Sequence, residues 1–84
     1  MSVSVLFFAS LREAIGQSSL VIELPAGVAT VGQLRTQLAS RGGDWAALGP
    51  GRAVRAAVNQ DMVVPDHPLR DGDEIAFFPP VTGG

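Results

Sequence analysis

With no cysteine and a single histidine, His67, the chain has little with which to do nucleophilic or metal chemistry. Disulfides, thiolate catalysis and zinc–thiolate sites are excluded, and one imidazole cannot make a histidine metal cluster. Ser10, Ser18, Ser19 and Ser40 have no base nearby: His67 sits in a proline-bounded loop remote from them, and a hydrolytic triad needs three converging groups. Asp66, Asp71, Asp73 and Glu74 crowd one turn without the alternating spacing of a calcium loop, so they read as turn formers and a solvated face. Gly42-Gly43 and Gly49-Pro50-Gly51 lack the lysine and hydroxyl residue of a phosphate-binding loop. Arg12, Arg35, Arg41, Arg52, Arg55 and Arg70 are scattered, without the basic stripe and interleaved aromatics of a nucleic-acid surface, and nucleic acid is not expected as a partner.

What remains is the carboxylate that ends FFPPVTGG, residues 77–84. A carboxylate is a poor electrophile, but converted by a partner and ATP into an acyl-phosphate anhydride it accepts a sulfur, oxygen or nitrogen nucleophile. A carried reagent of this kind must thread a narrow channel. Gly83 and Gly84 offer no side chain and a permissive backbone, and Pro79-Pro80 hold the exit extended, which lowers the entropy lost on insertion. From Val81 to Gly84 the reach is roughly 13 Å at ~3.3 Å per residue. A Gly-Gly end is also the ordinary form of a frayed terminus, so the ending alone does not decide.

The elements that must position this end read clearly. The 46% apolar and 17% charged composition argues against disorder, and the apolar runs are too short and interrupted to cross a membrane. The start, MSVSVLFFAS, has no basic region before its apolar run, so no secretory signal is expected and a cytoplasmic location is. VSVLFF (3–8) predicts a strand with Val3, Val5 and Phe7 inward and Ser4, Leu6 and Phe8 on the other face. Ser10 and Glu13 fit a capping box for one or two helical turns closed by Gly16. SLVIEL (19–24) predicts a second strand ended by Pro25-Ala26-Gly27. Thr30 and Gln33 fit another capping box, and Val31, Leu34 and Leu38 carry helical spacing up to Gly42-Gly43. Residues 44–51 read as irregular, with Trp45 capping the core. AVRAAV (53–58), MVV (62–64) and EIAFF (74–78) complete the strands, with Ile75 and Phe77 inward.

Strands flanking one long helix predict an α+β domain, residues 1–80, with a mixed sheet of four to five strands on the main helix and a tail, 81–84. The first and last strands are the most apolar, so they belong side by side and parallel at the centre, which is the β-grasp or ubiquitin-like arrangement. The tail would then leave from a central strand. Leu6, Phe8, Met62, Ala76 and Phe78 share the face away from the helix and form an apolar patch beside that exit. Lysine is absent. Arginine-favouring codon usage accounts for that, and so does the need to keep amines away from an activated terminus; the sequence leaves both open.

VLFFASLRE (5–13), AAVN (56–59) and DHPLRDGDEIAFFPPVTGG (66–84) resemble the small-subunit family of molybdopterin synthase, over nearly the whole chain. The resemblance implies a sulfur carrier for molybdenum cofactor synthesis, a non-catalytic subunit of a sulfurtransferase complex. By it, Gly84 is adenylated by a ubiquitin-activating-type adenylyltransferase using ATP, and a sulfur donor system converts it to a thiocarboxylate. The tail, Pro79, Pro80, Val81, Thr82 and Gly83, would insert into the large catalytic subunit of a heterotetramer, where cyclic pyranopterin monophosphate receives the sulfur. Phe8, Met62 and Phe78 would dock partners. The chain itself would bind no metal or other cofactor. The nearest alternatives are a ubiquitin-like carrier for thiamine or tRNA thiolation, which lacks Phe-Phe-Pro-Pro before the tail, and a protein modifier.

Overall fold

Alternation in the first strand is strict: along β1 (Ser2–Phe7), Val3, Val5 and Phe7 are buried and the residues between them are not. In the computed structural model, which describes residues 1–80, β1 lies parallel to β5 (Glu74–Phe78), with Val5 opposite Ile75 and Phe7 opposite Phe77. On its other side runs β2 (Ser19–Glu23), antiparallel. Beyond β5 come β3 (Arg55–Val58) and β4 (Asp61–Val63), each antiparallel to its neighbour, so the order is β2-β1-β5-β3-β4. The most apolar strands do meet at the centre of a mixed sheet of five.

One face of that sheet is covered by α2 (Val31–Ala39). Val31, Leu34 and Leu38 pack with Val3, Val5, Phe7, Ile75 and Phe77 into a single core. Each fully buried leucine contributes about 1.5–3 kcal/mol relative to leaving it exposed. The helix starts at the capping box read from the sequence: Thr30 Oγ1 accepts from Gln33 N–H at 3.2 Å, and Gln33 Oε1 accepts from Thr30 N–H at 3.1 Å. Two more first-turn donors find partners in the loop at 65–68, Val31 N–H bonding His67 C=O at 3.0 Å and Gly32 N–H bonding Pro65 C=O at 2.8 Å. That loop therefore supplies the rest of the helix cap. This is the β-grasp fold. No helix among the described residues is long and apolar enough to cross a membrane.

Three local expectations change. The helix after β1, α1 (Ala9–Ile15), starts before the expected Ser10–Glu13 box, which does not form; its N-cap is Phe8, with no side-chain cap. Phe8 still donates its N–H to Phe77 C=O at 3.2 Å, as a strand residue would, but its own carbonyl takes up Leu11 N–H at 3.2 Å and so begins the helix, ending the strand one residue earlier than expected. Gly16 closes α1 in the left-handed region, φ 82°, as its type suggested. Second, residues expected to be irregular include a 3-10 helix, Gly43–Leu48, that buries Leu48 in the core. Trp45 meets the Phe7 ring edge-on at 5.7 Å and carries the Arg41 guanidinium 4.8 Å from its own centroid. Third, β3 starts at Arg55 rather than at Ala53, because the segment before it is held from α2: Arg35 donates to the carbonyls of Leu48 (2.7 Å), Gly49 (2.9 Å) and Arg52 (2.8 Å).

The end of the sheet opposite the tail is closed by turns. Asp71 Oδ1 accepts from Ser2 N–H at 2.8 Å and Asp73 Oδ2 from Arg70 N–H at 2.8 Å, so these acids are turn formers as read. Asn59 opens the β3–β4 turn and bonds Asp73 through Nδ2 (3.0 Å) and Glu74 N–H through Oδ1 (3.1 Å).

Candidate functional site

The exit of the chain from β5 organises everything on the outer face. Phe77 ends the core layer, stacked on Phe7 with centroids 6.4 Å apart. Phe78, one residue on, faces the opposite way, half-buried and paired in register with Arg55 of β3. Pro79 and Pro80 follow, both partly buried. Their fixed φ and missing N–H groups end the ladder and keep the chain extended. Val81, Thr82, Gly83 and Gly84, the tail positions expected to carry the chemistry, lie outside the described residues.

Beside the exit, register aligns one apolar row across the sheet. Leu6 is opposite Ala76, Ala76 opposite Ala57, and Ala57 opposite Met62. Phe78 with Arg55 makes the next row toward the exit, and Ser4 with Glu74 bounds the patch on the far side. Met62 is 58% exposed and Phe8 44%. Phe8 stands just past the strand rather than within it, at the turn into α1, where Ala9 takes a left-handed φ of 52°. Of the three expected docking residues, Met62 and Phe78 share the outer face and Phe8 flanks it.

Ala57 is the member the sequence reading missed. It is buried yet stands apart from the core cluster, as a residue under the outer-face row must. Strand alternation is the signal for it: with Ala56 and Val58 packed on the core side, Ala57 between them points outward. A groove of about 910 Å³ between α2 and the β3–β4 side was also missed; Gly32 and Thr36 line one wall, Met62 and Val64 the other, with Arg52 and Arg55 among its lining. Its shape depends on how α2 lies across the sheet, which periodicity does not encode. Among the described residues no cluster of three acids or histidines could hold a metal ion. His67 serves through its backbone, its carbonyl capping α2 and its N–H bonding Val64 C=O at 3.0 Å. Neither the serines nor the acids converge on it.

The described residues thus form a scaffold with an apolar face beside a stiffened exit. Known proteins place that arrangement. The family model described as the ThiS family matches residues 5–84. A molybdopterin synthase sulfur carrier subunit from Escherichia coli is 52% identical over 83 residues, covering 98% of this chain and 99% of its own. The complex of subunits 1 and 2 of molybdopterin-converting factor from Helicobacter pylori contains a similar chain, with TM-score 0.68 and 28% identity over the full length of both. SAMP1 from Haloferax volcanii is similar too, with TM-score 0.77 and 27% identity over the full length of both.

Proposed function

The chain belongs to the ThiS family, and from that premise we propose that it is the sulfur carrier subunit of molybdopterin synthase. The observation that carries this reading is the 52% identity, over 98% of the chain, to a molybdopterin synthase sulfur carrier subunit. The geometry supports it: the central strand β5 runs out beside an apolar face, and Pro79 and Pro80 follow it directly.

In this reading the domain is residues 1–80 and the tail 81–84 is the working part. The Gly84 carboxylate attacks the α-phosphorus of ATP on an adenylating partner, releasing pyrophosphate and forming an acyl-adenylate. Hydrosulfide from the sulfur donor attacks the acyl carbon, AMP leaves, and loss of the sulfur's proton leaves a thiocarboxylate. Pro79, Pro80, Val81, Thr82 and Gly83 then span the channel of the large subunit. The sulfur bonds to a side-chain carbon of cyclic pyranopterin monophosphate as a carbon–oxygen bond there breaks, water cleaves the acyl–sulfur bond to restore the carboxylate, and two carriers in turn supply the two sulfurs of one dithiolene. Phe78 and Met62, with Phe8 at the flank, seat the carrier on each partner in turn. The large subunit supplies the catalytic side chains and assembles as a heterotetramer with its carriers. The work takes place in the cytoplasm, and ATP is bound by the partner.

Single-turnover transfer tests the reading. Thiocarboxylated carrier mixed with the large subunit and cyclic pyranopterin monophosphate is expected to yield the dithiolene. Sulfur delivered instead only to a thiazole-forming or tRNA-thiolating system would overturn it. Conjugates on target lysines in cells would favour the modifier reading, which the likeness to SAMP1 keeps in view.

A further inference from the structure

The net charge of −2 hides a strong polarity along the sheet. At the end where β1 and β5 finish, Arg55 pairs in register with Phe78, Arg52 lies just before it, and Arg12 sits on α1, which follows β1 directly. Arg41 stands over Trp45, itself against Phe7, and Arg35 is bound to the segment leading into β3. Of the arginines only Arg70 lies at the opposite end. That far end holds Glu23, Asp61, Asp71, Asp73 and Glu74, placed by their pairing with Ser2, Val58, Ser2, Asn59 and Ser4, whereas the acids on α1 and the 3-10 helix are Glu13 and Asp44 alone. Arg35 and Arg41 are engaged within the fold. Among the described residues the sole ion pair joins the Met1 amine to Glu23, so Arg52 and Arg55 have no carboxylate partner there.

We propose that Arg52 and Arg55 form a basic collar beside the chain exit that docks on a carboxylate-rich rim around the tail channel of the large synthase subunit. This rests on the function proposed above and adds the chemistry of the partner surface. Two exposed cations next to an apolar anchor, on a molecule whose other end is acidic, orient the approach tail-first. A carboxylate rim draws the collar in and repels the far end. Interactions of this range act on the association rate more than on the lifetime of the complex, and salt screens them.

The test is stopped-flow association of full-length carrier with the purified large subunit across ionic strengths. The wild-type rate is expected to fall as salt rises. Arg52→Glu/Arg55→Glu is expected to slow association about tenfold at low salt with little change in dissociation, while Arg70→Glu leaves the rate unchanged or raises it. Urea denaturation of each variant separates loss of fold from loss of steering. A salt-independent wild-type rate, or equal slowing by Arg70→Glu, would overturn the collar while leaving the carrier function standing. Binding of the collar to an anionic oligonucleotide with no charge effect on the large subunit would overturn it as well. Failure of wild-type carrier to bind the large subunit at all would overturn both.

Discussion

Phe77 and Phe78, adjacent in the chain, lie on opposite faces of one central strand: Phe77 is fully buried against Phe7, and Phe78 stands beside Arg55 on the outer face. The fold and the proposed docking surface therefore separate at a single peptide bond. Phe77→Ala is expected to cost about 3–5 kcal/mol of stability, because a large ring leaves a cavity in a core that cannot collapse around it. Urea denaturation measures that loss.

Phe78→Asp should behave differently. It places an unpaired charge where the reading puts a partner contact, so affinity for the large subunit should fall at least about tenfold, since a desolvated anchor accounts for ~2 kcal/mol or more. The denaturation midpoint should move much less than for Phe77→Ala. Calorimetric titration of folded variants checks this, and unchanged affinity would remove the outer face from the docking surface.

Arg35 is expected to be a structural arginine. Its guanidinium satisfies three carbonyls in the segment that leads into β3. An ammonium cannot reproduce that planar fork, so Arg35→Lys should destabilise the chain by about 1.5–3 kcal/mol. Hydrogen exchange should quicken first at residues 48–52.

The β3–β4 turn holds a correctable cost. Asn59 and Gln60 both take positive φ, 49° and 74°, the pattern of a two-residue hairpin turn that favours Asn-Gly. Gln60→Gly is expected to raise stability by up to about 1 kcal/mol, measured by thermal or urea unfolding, because glycine enters this region without the Cβ clash.

Strand parity and the Thr30–Gln33 cap were legible because each is a local rule obeyed by the residues that enforce it. Val3, Val5 and Phe7 alternate, and Thr30 stands three residues before Gln33 where the helical spacing of Val31, Leu34 and Leu38 begins, a stripe of a length that the Ser10–Glu13 pair lacks. The start of α1 was not legible, because Phe8 is fixed by a hydrogen bond to Phe77, nearly seventy positions away in the chain. The 3-10 helix was hidden for a similar reason: GDWAAL has no helical stripe, and only contact of Leu48 and Trp45 with the core orders it. In the candidate site, Phe78 and Met62 followed from parity, and Ala57 would have. The groove, and the arginine collar beside the exit, required the sheet order.

The central claim is that Gly84 is the reactive end of the chain, and intact mass tests it most directly. Full-length protein incubated with its adenylating partner, ATP and a sulfur source is expected to gain the mass of one oxygen replaced by sulfur, located to the C-terminal residue by fragmentation. A chain lacking Gly84 should unfold at the same temperature and gain nothing. Sulfur on the truncated chain, or no sulfur on the full-length chain beside a carrier that does load, would contradict the account.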